Sequence, residues 1–395
     1  MVQRATRRTL LTGSMALIAS ACGGDDEPTS ETPEAAATDT VQPVSTQPPI
    51  GSPVAGYGDP ERWTGRTLNI AGYGGDIEEA QAIAFFEPFQ EATGVDLQIN
   101  TADPERLIEQ VDTEEVNWDV LTLPAERALE LARAGYLEAI DFTVVDQTAL
   151  VSEIVQQYSV GAAFYSTVIA YRADRENPPA GWADFWSVPD PVQPEEPIPP
   201  EHLRALRRSP VGTLEFALLA DGVPIDGLYP LDIERSFASL DRIRSNVVVW
   251  YEDGKQPIEL LLAEQVGMAS AWNTRAWQLG VMTEIETQWQ GGMLTADMWV
   301  VPRGAPNADV AMDFINFATR ALPSANFARL VPFGPVNQSA FELLDEERLT
   351  VMPNSPQNRT EQFIQNWAWW ADNGEAVAQR FEDWLLTEPE ASPES

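Results

Sequence analysis

Cysteine and histidine are almost absent from this chain of 395 residues, which contains one of each, Cys22 and His202. This scarcity excludes disulfide frameworks and Cys/His metal cages, and a Cys–His nucleophile pair would require two distant residues to meet. Basic residues are also few, since 24 Lys and Arg stand against 61 Asp and Glu, a net charge of −37. Non-specific binding to nucleic acid is therefore disfavoured, because it depends on neutralising phosphates with Lys and Arg.

Long hydrophobic runs are missing as well, and after residue 22 no segment has the roughly 20 consecutive apolar residues that a membrane span needs. What the chain does have is 44% hydrophobic residues, enough for a large core. Its length suggests two domains.

The first 22 residues have the parts of an export signal. A basic start that includes Arg7 and Arg8 precedes an apolar run over 10–18 and small residues at 19–21. The stretch 6–11 looks like a twin-arginine signal, and either that route or the general secretory route fits. Residues 18–22, Ile-Ala-Ser-Ala-Cys, resemble the lipobox of bacterial lipoproteins, in which the signal is cut before a lipidated cysteine. The alternative is an ordinary secreted protein cut near Ala21.

The segment 23–65 follows with mostly Asp, Glu, Pro, Thr, Ser, Ala and Gly. Such a composition cannot bury enough apolar surface to offset the entropy of ordering, so it predicts a disordered tether. The sequence thus predicts an exported protein held by lipid at the outer, periplasmic or extracellular, face of the cell membrane. Several acyl chains on Cys22 would hold it there durably.

The folded body begins near residue 66 with alternating strand and helix patterns. Buried strands are predicted at 67–71, 95–99 and 119–124, with a helix between the first two and another ending near Gly135. Later segments add helices at 213–220, 233–243, 308–318 and 361–386, strands at 266–272 and 296–301, and a proline-rich loop at 189–200. This alternation favours parallel sheets covered by helices, with ligands at the carboxyl ends of strands.

An ordered set of short motifs resembles the spermidine/putrescine-binding group of ABC-transporter solute-binding proteins. The set covers most of residues 66–385 in order, and no single motif decides the matter. It comprises Ala71-Gly72-Tyr73-Gly74-Gly75, Phe86-Glu87-Pro88-Phe89, Trp118-Asp119-Val120, Gly181-Trp182-Ala183-Asp184-Phe185-Trp186, Ala217-Leu218-Leu219-Ala220-Asp221-Gly222, Leu228-Tyr229-Pro230-Leu231-Asp232, Ala271-Trp272-Asn273, Trp299-Val300-Val301-Pro302, Phe333-Gly334-Pro335-Val336-Asn337 and Trp369-Trp370-Ala371-Asp372-Asn373.

The resemblance implies an α/β, two-lobed periplasmic-binding-protein-like fold of type II, with the ligand cleft between lobes joined by a hinge. Carried over, the first lobe spans 66–170 and 297–341, the second spans 171–296 and 342–388, and 389–395 form an acidic tail. It also implies a monomer without enzymatic activity, cofactor or metal, which delivers a small, polyamine-like cation to an ABC permease.

The resemblance further implies a set of ligand-binding residues. Trp272 and Asp297 fall on a family cleft tryptophan and aspartate, and Phe333 falls on a cleft tyrosine. Tyr73 and Asp76 lie near a family aromatic and carboxylate, in a loop where Gly74-Gly75 precedes a helix. Carboxylates hold ammonium groups in such clefts, and aromatic faces add cation–π contact.

Each of these residues also has a plainer interpretation. Trp272 is of a type that often packs in a core. Asp297 could cap a turn at the start of a strand, and Asp76 suits the first turn of a helix because of the helix dipole. Backbone N–H groups at Gly75 could hold an anion instead of a cation.

Departures from the family pattern bear on the ligand. Ser209, Pro210 and Gly212 stand where spermidine binders carry acids, and Arg127 stands where an aromatic residue is usual. These departures favour a shorter or less charged ligand than a triamine.

Two alternatives remain open from the sequence. One is a binder of an anionic or amino-acid-like solute that uses Arg127 or Arg275. The other is an exported, lipid-anchored hydrolase with paired carboxylates, although the sequence has no Gly-x-Ser-x-Gly motif.

Overall fold

A computed structural model describes residues 51, 53–188, 197–279 and 284–387. The predicted signal segment, Cys22, most of the tether, part of the proline-rich loop and the acidic tail lie outside the described residues. No helix in the described part of the chain is both long and apolar enough to cross a membrane.

The described strands form one mixed sheet whose main path runs β2-β1-β3-β9-β5-β8-β6-β7, with β10 paired to β9 and β4 to β5. The strands are β1 Thr67–Gly72, β2 Asp96–Thr101, β3 Val120–Pro124, β4 Val155–Gln156, β5 Ser159–Arg172, β6 Arg204–Arg207, β7 Val247–Tyr251, β8 Met268–Trp272, β9 Ile285–Val300 and β10 Phe363–Ile364.

The two outer thirds of the sheet are parallel and the centre is antiparallel. β1 pairs in parallel with β2 and β3, and β6 does so with β7 and β8. β9 runs antiparallel to both β3 and β5, and β5 runs antiparallel to β8. The expectation of purely parallel sheets is therefore wrong at the centre, because two long strands pair there over most of their length.

Helices cover the sheet, and local signals set many of their starts. Asp103 accepts hydrogen bonds from two backbone N–H groups at the start of α3, and Asp232 accepts one at the start of α7. The helices are α1 Gly75–Gln81, α2 Glu87–Thr93, α3 Pro104–Asp112, α4 Ala125–Arg133, α5 Trp182–Trp186, α6 Pro210–Ala220, α7 Ile233–Ile243, α8 Gln256–Leu262, α9 Asn273–Leu279, α10 Ala308–Ala318, α11 Ala321–Leu330, α12 Glu346–Thr350, α13 Pro356–Arg359 and α14 Trp367–Leu386.

Separate hydrophobic cores define two lobes. The first lobe packs β1, β2, β3 and α10 around aromatic side chains that include Phe89, Trp299 and Phe314. The second lobe has two clusters, one around Trp182 and Phe216 and one around residues of β6, β8 and α8. β5 and β9 contribute residues to both lobes, so these strands are the structural connection between them.

The predicted tether ends earlier than residue 65. Within the segment 53–65, the Tyr57 hydroxyl donates to Asp313 Oδ1 at 3.0 Å and the Trp63 indole N–H donates to Asp313 Oδ2 at 2.7 Å. Arg62 Nη2 lies 3.1 Å from the same carboxylate, which is only 1% exposed. These contacts fix the segment on the first lobe, so the prediction of disorder is wrong for residues near Tyr57 and Trp63.

Two element boundaries also differ from the prediction. The strand expected at 296–301 belongs to the 16-residue strand β9. The helix expected at 361–386 begins at Trp367, because Phe363–Ile364 pair with β9 and the Asn366 side chain caps the helix.

Candidate functional site

Three side chains share one face of the sheet where the two lobes meet. Asp297 on β9 lies opposite Ala163 on β5, and Trp272 on β8 lies opposite Thr167. Tyr165 lies between these two positions on β5. Because alternate residues of a strand point to the same face, Asp297, Tyr165 and Trp272 all project from this face.

Asp297 is a buried carboxylate whose described partner is a hydroxyl group. It is 7% exposed, and the Tyr73 hydroxyl donates to its Oδ1 at 2.9 Å. Burial raises the pKa of Asp297 to about 7, the Tyr73 hydrogen bond lowers it, and the charge of Glu126 raises it further. No basic side chain of the described residues forms an ion pair with Asp297, so its charge is uncompensated.

A second carboxyl group, Glu126, lies nearby in the first turn of α4, directly after β3. Burial raises the pKa of Glu126, whereas a hydrogen bond from its own backbone N–H and the charge of the nearby Arg207 guanidinium act to lower it. Glu126 Oε2 and Gln365 Nε2 are shielded from solvent and lack hydrogen-bond partners in the described part of the chain. Burial and the charges of Asp297 and Glu126 also raise the pKa of Tyr165 well above its usual value.

Arg207 supplies the positive charge of the site. It is the last residue of β6, and its guanidinium carbon lies 5.1 Å from the centre of the Trp272 ring. Within the described ranges its guanidinium makes no hydrogen bond or ion pair. A guanidinium stacked on an indole in this way keeps its N–H donors available for a planar anion.

Aromatic rings frame these charges. The Trp272 and Tyr165 ring centres are 6.4 Å apart at 84°, and those of Tyr165 and Phe333 are 6.2 Å apart at 65°. Gly254 lies against the indole so closely that a Cβ there would be 2.5 Å from Cζ3 of Trp272. The absence of a side chain at this glycine therefore helps to set the indole's position.

The structure brings together most of the residues selected from the sequence. Tyr73, Trp272, Asp297 and Phe333 form one connected group with Tyr165. Asp297 lies inside β9 and does not cap a turn at a strand start. Phe333 is 5% exposed and also packs on Phe327, so it supports the floor of the site.

Asp76 and Gly75 have other surroundings. Asp76 Oδ2 lies 3.9 Å from Arg275 Nη1, an ion pair that joins α1 of the first lobe to α9. Gly75 adopts a φ of 64° where α1 begins, a conformation that favours glycine, and α1 is only seven residues long.

Arg127 does not contribute to the site. Its guanidinium forms ion pairs with Glu105 and with Glu130 on the surface of the first lobe. The suggestion that it binds an anionic ligand is therefore wrong, since its charge is already compensated outside the cleft.

Glu126, Tyr165, Arg207 and Gln365 were not selected from the sequence. Two of them could have been found, since Arg207 ends the parallel strand β6 and Glu126 follows the parallel strand β3. Ligands of α/β sheets bind at the carboxyl ends of such strands.

Comparison with known proteins gives the family. Residues 84–354 match the bacterial extracellular solute-binding proteins. The gamma-aminobutyric acid (GABA)-binding protein of Pseudomonas aeruginosa is 31% identical over 331 residues, which are 81% of this chain and 91% of that protein. The chain belongs to the bacterial extracellular solute-binding proteins of ABC transporters.

Solved structures agree with this assignment. An ABC transporter substrate-binding protein from Bradyrhizobium japonicum USDA 110 has a TM-score of 0.75 and 31% identity, and the match covers 81% of this chain and 100% of that one. The Atu4243-GABA receptor has a TM-score of 0.74 and 32% identity, with 83% and 100% covered. The two-lobed periplasmic-binding fold predicted from the sequence is thereby confirmed.

The spermidine/putrescine-binding periplasmic protein of Salmonella typhimurium is more distant, at 25% identity over 228 residues, 56% of this chain and 61% of that protein. The relatives and the fold are those of solute-binding proteins, which bind a small molecule and deliver it to an ABC permease, and they are not those of enzymes. Nothing therefore supports the hydrolase alternative.

Proposed function

We propose that the solute is a short amino acid whose ammonium and carboxylate groups lie at opposite ends, with GABA as the reference compound. The observation that carries this proposal is the pair of uncompensated charges of opposite sign, Asp297 and Arg207, on either side of Tyr165. Two relatives, a GABA-binding protein and a GABA receptor, support it.

Asp297 suits the ammonium end of such a ligand. A buried carboxylate without a counter-charge is costly, and an ammonium beside it removes that cost and favours the ionised form. The Tyr73 hydroxyl, 2.9 Å from Oδ1, already orients the carboxylate. Tyr73, which is hydrogen-bonded to Asp297, and Tyr165, on which the charge of Asp297 acts, supply aromatic rings for cation–π attraction to the same group.

Arg207 suits the carboxylate end. A guanidinium can donate two parallel hydrogen bonds to a carboxylate, and such pairs are among the stronger hydrogen bonds in proteins. Trp272 supports its flat face at 5.1 Å. Because its guanidinium forms no hydrogen bond or ion pair with a described residue, a ligand carboxylate competes only with water and with the charge of the nearby Glu126.

The distance between Asp297 and Arg207 favours a ligand whose ammonium and carboxylate groups are far apart. Asp297 lies opposite Ala163 and Trp272 opposite Thr167, so at roughly 3.3 Å per residue their backbones are about 13 Å apart along β5. The long side chains of Arg207 and Trp272 take up part of that distance. An α-amino acid carries both charged groups on the same carbon, whereas GABA carries them at the two ends of its carbon chain.

A polyamine is disfavoured by the same arrangement. A second ammonium group would lie near the Arg207 guanidinium, and like charges at close range are repulsive. The polyamine-like ligand inferred from family resemblance is thus the weaker reading, and the amino-acid-like alternative is the better one.

Isothermal titration calorimetry tests the proposal with GABA, β-alanine, glycine, putrescine, spermidine, butyrate and butylamine. We expect GABA to bind in the micromolar range, about −8 kcal/mol, and to exceed butyrate and butylamine, which each lack one charge. The substitution Arg207→Met should weaken GABA binding by about 100-fold, from the loss of a charged hydrogen-bonded pair. Arg127→Met is the matched control and should stay within about twofold. Tighter binding of putrescine than of GABA would refute the proposal.

We also propose that lipid on Cys22 holds the protein at the membrane. We further propose that the lobe boundaries follow those expected from the sequence, except that the segment with Tyr57 and Trp63 belongs to the first lobe. The lipid anchor predicts that the Cys22→Ser variant is released from the membrane fraction into the soluble fraction. Mass spectrometry of the amino-terminal peptide would show whether acyl chains are present on the natural protein.

A further inference from the structure

The site contains one more carboxyl group than the proposed ligand needs. A ligand with one ammonium and one carboxylate satisfies Asp297 and Arg207, and Glu126 is left over. Glu126 is close enough to both that its charge raises the pKa of Asp297 and the charge of Arg207 lowers its own pKa. The protonation state and the contacts of Glu126 in the ligand-bound cleft are therefore not determined by the pairing of the ligand with Asp297 and Arg207.

The titratable and charged groups around Glu126 come from five other parts of the fold. They are Tyr73 in the loop after β1, Tyr165 on β5, Arg207 on β6, Asp297 on β9 and, as an uncharged amide, Gln365 between β10 and α14. Arg207 is the one cation among these neighbours. An ionised Glu126 is therefore stabilised by a hydrogen bond from its own backbone N–H and, among charged groups, by Arg207.

A ligand carboxylate competes with Glu126 for that cation. Once the ligand carboxylate pairs with Arg207, the guanidinium no longer compensates a charge on Glu126. Glu126, whose Oε2 is shielded from solvent, would then face the charges of Asp297 and of the ligand carboxylate. Burying an unpaired charge costs several kcal/mol in proteins, and a carboxyl group avoids this by taking up a proton. The unpartnered Oε2 of Glu126 then becomes a hydrogen-bond donor instead of a second acceptor.

We propose that Glu126 is a neutral carboxylic acid in the loaded cleft and donates its proton in a hydrogen bond to the ligand carboxylate. The inference rests on the proposed binding of a zwitterion. It assigns Glu126 a role in selectivity. With Glu126 neutral, the cleft has one negative side chain, Asp297, for an ammonium group and one positive side chain, Arg207, for a carboxylate. The cleft then matches a zwitterion and not a dication.

The isosteric variant Glu126→Gln distinguishes a neutral Glu126 that donates to the ligand carboxylate from an ionised Glu126 that contacts the ligand ammonium. A glutamine keeps the shape and can donate a hydrogen bond from its amide, so GABA affinity at pH 7 should stay within tenfold of the natural protein. Glu126→Ala removes the donor and should weaken binding by about tenfold. Asp297→Asn removes the required negative charge and should weaken it by 100-fold or more. Glu130→Gln, on the same helix at the surface, is the matched control.

Calorimetry of these variants, with thermal unfolding to check that each is folded, gives the deciding comparison. A loss of more than tenfold in Glu126→Gln overturns the inference, because it means that an ionised Glu126 contacts the ammonium. If the natural protein binds none of the amino acids, the proposed function fails instead. Difference infrared spectra with butyrate present then still decide the inference: a protonated-carboxyl band that Glu126→Gln removes supports it, and no such band overturns it.

Discussion

Asp297 should make the ligand-free protein less stable than it would be with an asparagine at that position. Its pKa is raised from 3.8 to about 7 by burial. A difference of about 3 pKa units corresponds to about 4 kcal/mol of folding free energy at pH 8. This figure is an upper limit for the gain from Asp297→Asn, because the asparagine must also accept the Tyr73 hydroxyl.

The sign of the pH dependence follows from linkage. A carboxyl group with a raised pKa binds its proton more tightly in the folded than in the unfolded state. Well below pH 4 the group is protonated in both states, and its ionisation does not affect stability. As the pH rises from about 4 to about 7, the unfolded state ionises first, and the folded protein loses stability relative to it. Asp297→Asn removes this loss, so its advantage over the natural protein should grow across that range.

Thermal unfolding without ligand, from pH 4 to pH 8, measures the effect. We expect melting temperatures that nearly coincide at pH 4 and a variant that melts several degrees higher at pH 8. The same variant should bind GABA poorly, so stability and binding should change in opposite directions. A melting-temperature difference that does not vary with pH, or a variant that is less stable at pH 8, would show that Asp297 is not an uncompensated buried charge.

Three further predictions follow from the same contacts. In the Glu126→Gln variant, which cannot take up a proton at position 126, GABA should bind about tenfold more tightly at pH 8 than at pH 6 in calorimetry, because ionised Asp297 rises from roughly one tenth to nine tenths across a pKa of about 7; a flat profile of this variant would contradict this. Asp313→Ala should lower the free energy of unfolding by about 3 kcal/mol in urea titrations, because the Tyr57 hydroxyl and the Trp63 indole N–H lose the carboxylate that accepts their hydrogen bonds. A loss below about 1 kcal/mol would count against that reasoning. Gly254→Ala should displace the Trp272 indole and weaken GABA binding about tenfold while the chain stays folded, and an unchanged affinity would show that Trp272 can adjust.

Local elements of the fold could be predicted where short-range signals decide them. The helix Ile233–Ile243 matches its predicted bounds, since Asp232 caps its start and its apolar residues recur at helical spacing. The helix Ala308–Ala318 was also confirmed. The antiparallel centre was not predictable, because the pairing of β5 with β9 joins residues more than a hundred positions apart.

In the candidate site too, some residues could be predicted from the sequence and others could not. Tyr73, Trp272 and Asp297 could be selected because they stand in motifs shared with known binding proteins. Glu126 and Arg127 are neighbours on a helix, about 100° apart around its axis, so only one of them can face the cleft. Nothing in the sequence says which. The sequence offered Arg127 only as one of two arginines for an anionic ligand, and the structure places it in surface ion pairs.

The positions of the two opposite charges also bear on how the lobes close. Asp297 belongs to β9 within the first core, and Arg207 follows Leu206 of the second core. A ligand favours one conformation only by binding it more tightly than the other. A zwitterion held at one end by Asp297 and at the other by Arg207 completes both contacts only when the lobes are together.

Removing either charge should therefore weaken binding and also reduce the ligand's ability to close the cleft. Butyrate and butylamine, which satisfy one end each, should bind weakly and leave the open form favoured. Small-angle X-ray scattering with saturating ligand would measure this, because closure reduces the radius of gyration. Full compaction by butylamine alone would mean that closure depends on the Asp297 end only and that the bridging argument is wrong.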